Sequence, residues 1–165
     1  MTYEEFLWAC GLKPHVDLLQ SGMWDVVKSL KSLYIQHLRE YYLVGGMPEA
    51  VSTFIQTNDA NAVREVQEEI ISAYEKDISK HAPAEQVIRI NQVWNSIPSQ
   101  LAKENKKFIY GVVRQGARAK DYELAIQWLI DAGLIYKINR VKALGIPLKI
   151  YEDISAFKLY LLDCG

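Results

Sequence analysis

The chain has 165 residues, 50% of them hydrophobic, and a formal net charge of −1. That balance excludes a disordered chain and argues against a dedicated nucleic-acid binder, while the length allows one sizeable core or two small ones. Cys10 and Cys164 lie at opposite ends with no CxxC pair, so they read as ordinary thiols of a reducing compartment. No apolar run approaches the roughly 20 residues of a membrane span, and the opening Met1-Thr2-Tyr3-Glu4-Glu5 is acidic where a secretion signal is basic. A cytoplasmic protein without membrane contact is expected.

In chain order, Thr2 and Glu5 form a capping box that starts a helix carrying Phe6, Leu7 and Cys10, and Gly11 stops it. A short helix is predicted over His15 to Gln20 behind Pro14. A longer one follows from about Leu30 to Leu43, with an apolar stripe of Leu30, Leu33, Tyr34, Leu38 and Tyr41. His37 lies within that stripe; without partners at ligand spacing it reads as a hydrogen-bonded helix histidine. Val44 to Ala50 breaks the run, and Pro48 sits at the first position of a helix reaching about Gln56. Asn58-Asp59 then caps a long helix through Lys80, whose acids Glu65, Glu68, Glu69 and Glu75 read as a solvated face, not a metal or catalytic cluster.

His81-Ala82-Pro83 marks the predicted boundary between residues 1–81 and 82–165. The charge changes sign there: residues 1 to 80 hold 7 Lys/Arg and 12 Asp/Glu, residues 81 to 165 hold 12 and 8. The second part is predicted to contain a helix over Ala84 to Asn95, a short one over Ser99 to Lys103 behind Pro98, and a strand at Phe108 to Tyr110. A helix over Lys120 to Ala132 follows, with Tyr122, Ala125, Ile126 and Leu129 on its apolar face and Gly133 as its stop. Leu134 to Val141 reads as a strand, Leu144-Gly145 as a turn, Ile146 to Tyr151 as the partner strand, and Phe157 to Leu162 as a terminal strand. The expected fold is therefore mainly α: a helical bundle followed by a winged-helix arrangement.

Three stretches carry a family likeness: Tyr42-Leu43-Val44-Gly45-Gly46-Met47-Pro48-Glu49-Ala50, Ile97 to Phe108 (Ile-Pro-Ser-Gln-Leu-Ala-Lys-Glu-Asn-Lys-Lys-Phe), and Ala156-Phe157-Lys158-Leu159-Tyr160-Leu161-Leu162-Asp163. They resemble the middle of bacterial and archaeal AAA-type P-loop ATPases that carry a C-terminal domain of unknown function. The opening through Leu7 resembles the segment after the last strand of that ATPase core. The resemblance implies a helical lid over a nucleotide, with Gly46-Met47-Pro48 matching a Gly-x-Pro turn beside the adenine. It also implies ATP and magnesium as cofactors of the parent protein, and an ATPase core and a nuclease-like domain of the same chain as partners. No GxxxxGK[ST] loop and no strand ending in paired acids occurs, so no catalysis and no cofactor or metal binding are expected of these residues themselves.

The implied function is a non-catalytic coupling segment that links nucleotide state to a partner protein or a following domain. A winged helix also invites a DNA-binding reading. The face opposite the apolar stripe, however, carries Lys120, Glu123, Gln127 and Asp131, a poor charge for a major-groove helix. Phosphate contacts would fall instead to Arg118 and Lys120 at the helix start and to Arg140, Lys142 and Lys149 around the wing.

Overall fold

The computed structural model describes residues 1–165 as nine α-helices and one two-stranded antiparallel sheet near the C-terminus, a mainly α architecture. Two compact units are present. Met1–Ala73 together with Asp163–Gly165 form the first, and Tyr74–Leu162 form the second.

The first unit contains α1 (Tyr3–Ala9), α2 (Lys13–Ser21), α3 (Trp24–Ser29), α4 (Lys31–Val44), α5 (Pro48–Thr57) and the first part of α6 (Ala60–His81). The Thr2 capping box forms as its residue types dictate: Glu5 N–H donates to Thr2 Oγ1 at 3.3 Å and Thr2 N–H to Glu5 Oε2 at 2.7 Å. It aims Phe6 into a cluster with Val44, Ala50, Val51 and Val63, and Leu7 into a second cluster with Val16 and Tyr34. Tyr34 then ties three helices, donating its hydroxyl to His15 O at 2.8 Å while its own carbonyl accepts from Tyr3 Oη at 2.8 Å. Helix α3 was not expected. None of its six residues is fully buried, only Val27 packs partly against the Leu7 cluster, and it has no side-chain cap, so neither stripe nor capping signal announces it.

Asn58 and Asp59 divide the capping work between neighbouring helices. Asn58 ends α5 in the left-handed conformation (φ 50°), and Asp59 Oδ1 accepts from Asn61 N–H at 2.8 Å to start α6. Helix α6 does not stop at the unit boundary. The two units divide within it between Ala73 and Tyr74, and Tyr74 and Ile78 pack into the second core.

That second core joins α7 (Val87–Leu101) and α9 (Ala119–Asp131) to the inner face of the sheet. Ile90, Val93 and Ile97 meet Ala125, Ile126 and Leu129, with Ile135, Phe157 and Leu159 behind them. Two local expectations change here. Pro98 starts no new helix; it lies inside α7, exposed, while Ile97 and Gln100 beside it stay buried, so packing carries the helix past a missing N–H. Phe108 to Tyr110 is not a strand: Phe108 makes a backbone bond to the sheet, its N–H to Phe157 O at 2.9 Å, and Tyr110 already begins the short α8 (Tyr110–Val113).

The sheet pairs β1 (Ile135–Val141) not with Ile146–Tyr151 but with β2 (Glu152–Leu161). Register runs from Ile135 opposite Leu161 to Asn139 opposite Phe157, then shifts at a bulge so that Arg140 faces Asp153. Burial decides the partner. Ala156, Phe157 and Leu159 reach the core from β2, whereas Ile146 and Ile150 are almost wholly exposed, and Leu148–Tyr151 curls into a 3-10 turn.

Candidate functional site

The Gly-x-Pro turn joins α4 to α5. Gly45, at φ +78°, ends α4 and donates its N–H to Tyr41 O at 2.8 Å. Gly46 is buried: its N–H donates to Asp163 Oδ1 at 2.7 Å, and its carbonyl accepts from the Met1 amino group at 2.6 Å. Tyr41 Oη donates to Met1 O at 2.8 Å, closing the same junction. A Cβ on Gly46 would sit 2.7 Å from Met1 N, and one on Gly45 would sit 2.8 Å from Gly165 Cα, so both glycines serve a close approach of the chain to itself. The α4 carbonyls left open by the turn are taken by Gln67 of α6, whose buried amide donates to Leu43 O at 2.9 Å and Val44 O at 3.1 Å. Met47 is half-buried in the first cluster. Pro48 is exposed at the first position of α5.

His37 Nδ1 lies 2.7 Å from Glu40 Oε2, the helix pairing expected of it. Glu65, Glu68, Glu69 and Glu75 are exposed, with Arg64 on Glu68 at 3.1 Å. No group of three or more His, Cys, Asp or Glu side chains is placed to hold a metal ion, and no GxxxxGK[ST] motif occurs in the sequence. No helix is long and apolar enough to cross a membrane.

The five cationic candidates are all exposed but differ in their surroundings. Arg118 precedes α9, where Asp121 Oδ2 accepts its backbone N–H at 3.1 Å; Lys120 lies one residue inside the helix. Arg140 is engaged, its guanidinium on Asp153 Oδ2. Asp153 is nearly buried and also accepts from Ser155 Oγ at 2.6 Å and Ser155 N at 3.1 Å. The Ser155 hydroxyl above all, then Arg140, holds that carboxyl well below the ordinary range. Lys142 and Lys149 form no ion pair and flank the loop between the strands.

A feature not singled out from the sequence is a groove of mixed character on α7, with Ile88 at its edge. About 550 Å³ in volume, it is lined by Asn91, Gln92, Asn95, Ser96 and Ser99, with Val112 and Val113 across from them. Gln92 Oε1 accepts from Tyr122 Oη at 2.8 Å, while Asn91 Oδ1 is buried without a partner. The signal was present as amides and hydroxyls at helical spacing beside an apolar stripe, but the same pattern describes any solvated helix face.

Residues 35–165 match the family described as Domain of unknown function (DUF8612). The chain belongs to that family. The match begins inside α4, so the DUF8612 region holds the Gly-x-Pro turn, all of the second unit and the returning Asp163, while α1 to α3 precede it. No curated protein and no solved structure matches the chain.

Proposed function

We propose that this chain is the lid and coupling segment of an AAA-type P-loop ATPase, non-catalytic itself, with ATP and magnesium held by a core outside these residues. The observation that carries the reading is that the third family-like stretch bonds to the first and, separately, to the second. Gly46 of the first is hydrogen-bonded to Asp163 of the third at 2.7 Å, and Phe108 of the second donates its N–H to Phe157 of the third at 2.9 Å, their rings stacked at 5.4 Å. Residues that carry a resemblance only in sequence thus form two structural joints.

In this reading Pro48 and the edge of Met47 lie against the adenine, and Gly46 shapes the turn from beneath. The test is nucleotide affinity of the polypeptide with its ATPase core in place. Pro48→Ala removes a flat apolar contact of about 1 kcal/mol and is expected to weaken binding about fivefold; unchanged affinity removes the adenine contact.

The alternative, a DNA-reading winged helix, draws on the order helix-then-hairpin and on exposed Arg118 and Lys120. Arg140 is already engaged by Asp153, and Glu123 and Asp131 share the outer face of α9 with Lys120, which weighs against it. Failure to bind duplex DNA at low salt would remove that alternative.

A further inference from the structure

The loop between β1 and β2 places its aliphatic side chains outward. Leu144 is 91% exposed, Ile146 99% and Ile150 74%, and on the adjoining strands Ile154 is 79% exposed. Loops of soluble domains do not normally spend aliphatic residues this way, and exposed apolar surface concentrated in one loop marks a contact surface. The loop is also built. Its base closes through Lys142 N–H to Tyr151 O at 2.8 Å, the 3-10 turn through Ile150 N–H to Pro147 O at 3.2 Å, and the Tyr151 ring lies against Gly145, where a Cβ would fall 2.6 Å from the ring. Tyr151 therefore does the internal packing, and Leu144 and Ile146 have no intramolecular role.

Charge selects among occupants. Lys142 and Lys149 flank the tip without ion pairs, and Lys137 and Lys158 lie further back on the strands. The two acids of the hairpin are both turned to internal work, Glu152 accepting from Asn139 Nδ2 at 3.1 Å and Asp153 held by Arg140 and Ser155. An aliphatic tip with lysines at its base fits a layered partner, anionic on the outside and hydrocarbon beneath, with the tip reaching the acyl boundary while ammonium groups stay among headgroups. Duplex DNA offers phosphates but leaves the isoleucines against water unless they wedge between bases. We propose that the β1–β2 loop docks this protein on an anionic lipid surface, by insertion of Leu144, Ile146 and Ile150 and by headgroup contacts of Lys142 and Lys149. The inference does not depend on the ATPase reading. It also departs from the expectation of no membrane contact, which rested on the lack of a spanning segment and says nothing of adhesion to a surface.

The experiment is co-sedimentation of the whole chain with vesicles of phosphatidylcholine alone and of phosphatidylcholine containing phosphatidylserine. Binding is expected to the phosphatidylserine vesicles, falling as salt is raised. Lys142→Glu/Lys149→Glu and Leu144→Ser/Ile146→Ser are each expected to bind on the order of tenfold more weakly, with unchanged far-ultraviolet circular dichroism. Should the second pair unfold, Ile146→Ser alone decides, since that side chain is 99% exposed. The proposal is overturned by no partition onto phosphatidylserine vesicles, or by both variants partitioning like the parent. Concentration-dependent self-association abolished by Ile146→Ser would assign the tip to a second copy and overturn it too. Duplex oligonucleotide binding that the lysine pair abolishes, with vesicle binding absent, would assign the loop to nucleic acid instead.

Discussion

Gln67 is the most informative single residue to change, because its amide closes the end of α4 at the Gly-x-Pro turn. The side chain is 9% exposed and donates to Leu43 O and Val44 O, two of the four carbonyls that α4 cannot satisfy itself. Gln67→Leu keeps most of the volume and removes both donors. Leu43 is exposed, so its carbonyl can take water, and losing that bond costs about 0.5–1 kcal/mol. Val44 is 1% exposed, and its orphaned carbonyl costs about 1–3 kcal/mol. The sum, about 1.5–4 kcal/mol, corresponds to a fall in Tm of roughly 3–16 °C for a chain of this size. Urea denaturation followed by circular dichroism measures it. Amide exchange at Gly45 and Gly46 then locates the loss at the turn. Gln67→Leu as stable as the parent would refute the reasoning, since it would mean that water already serves the Val44 carbonyl.

Two other changes test the joints of the second unit. Pro98→Ala restores an N–H to the interior of α7 and is expected to stabilise the chain by about 1–2 kcal/mol, whereas a proline at the first position of a separate helix would give no gain; thermal melts separate the two. Asp153→Asn should destabilise the hairpin at neutral pH, and the sign of its pH dependence is fixed by the lowered pKa of Asp153. A depressed carboxyl contributes stability above the ordinary aspartate value of about 4 and loses it as pH falls through the lower, folded value. The gap between parent and variant should therefore narrow on acidification below about pH 4. A gap constant across that range would place the effect on hydrogen-bond geometry and not on charge.

The Thr2 capping box, Pro48 at the head of α5, the α9 stripe and its Gly133 stop are all legible in the sequence. Each is a local agreement between residue type and backbone within a turn or two. His37 reads correctly for the same reason, its partner Glu40 being three residues away. Of the candidate site, the Gly-x-Pro turn and the exposed cations could be named from the sequence. What surrounds them could not, because it arrives from far along the chain: Asp163 onto Gly46, Gln67 onto the end of α4, Asp153 onto Arg140.

The same distinction explains where the expected elements shifted. Alternation alone made Ile146 to Tyr151 as good a partner for β1 as Glu152 to Leu161, and only the core decided, since Phe157 and Leu159 can be buried against α7 and α9. Pro98 reads as a helix start until Ile97 and Gln100 are seen buried on either side of it. Composition and periodicity therefore determine most of the helical segments, roughly where they begin and end, and that the chain is mainly α; the short α3 and α8 are not among them. Tertiary structure decides strand pairing, the division within α6 and the company each candidate residue keeps, because burial is a property of neighbours distant in sequence.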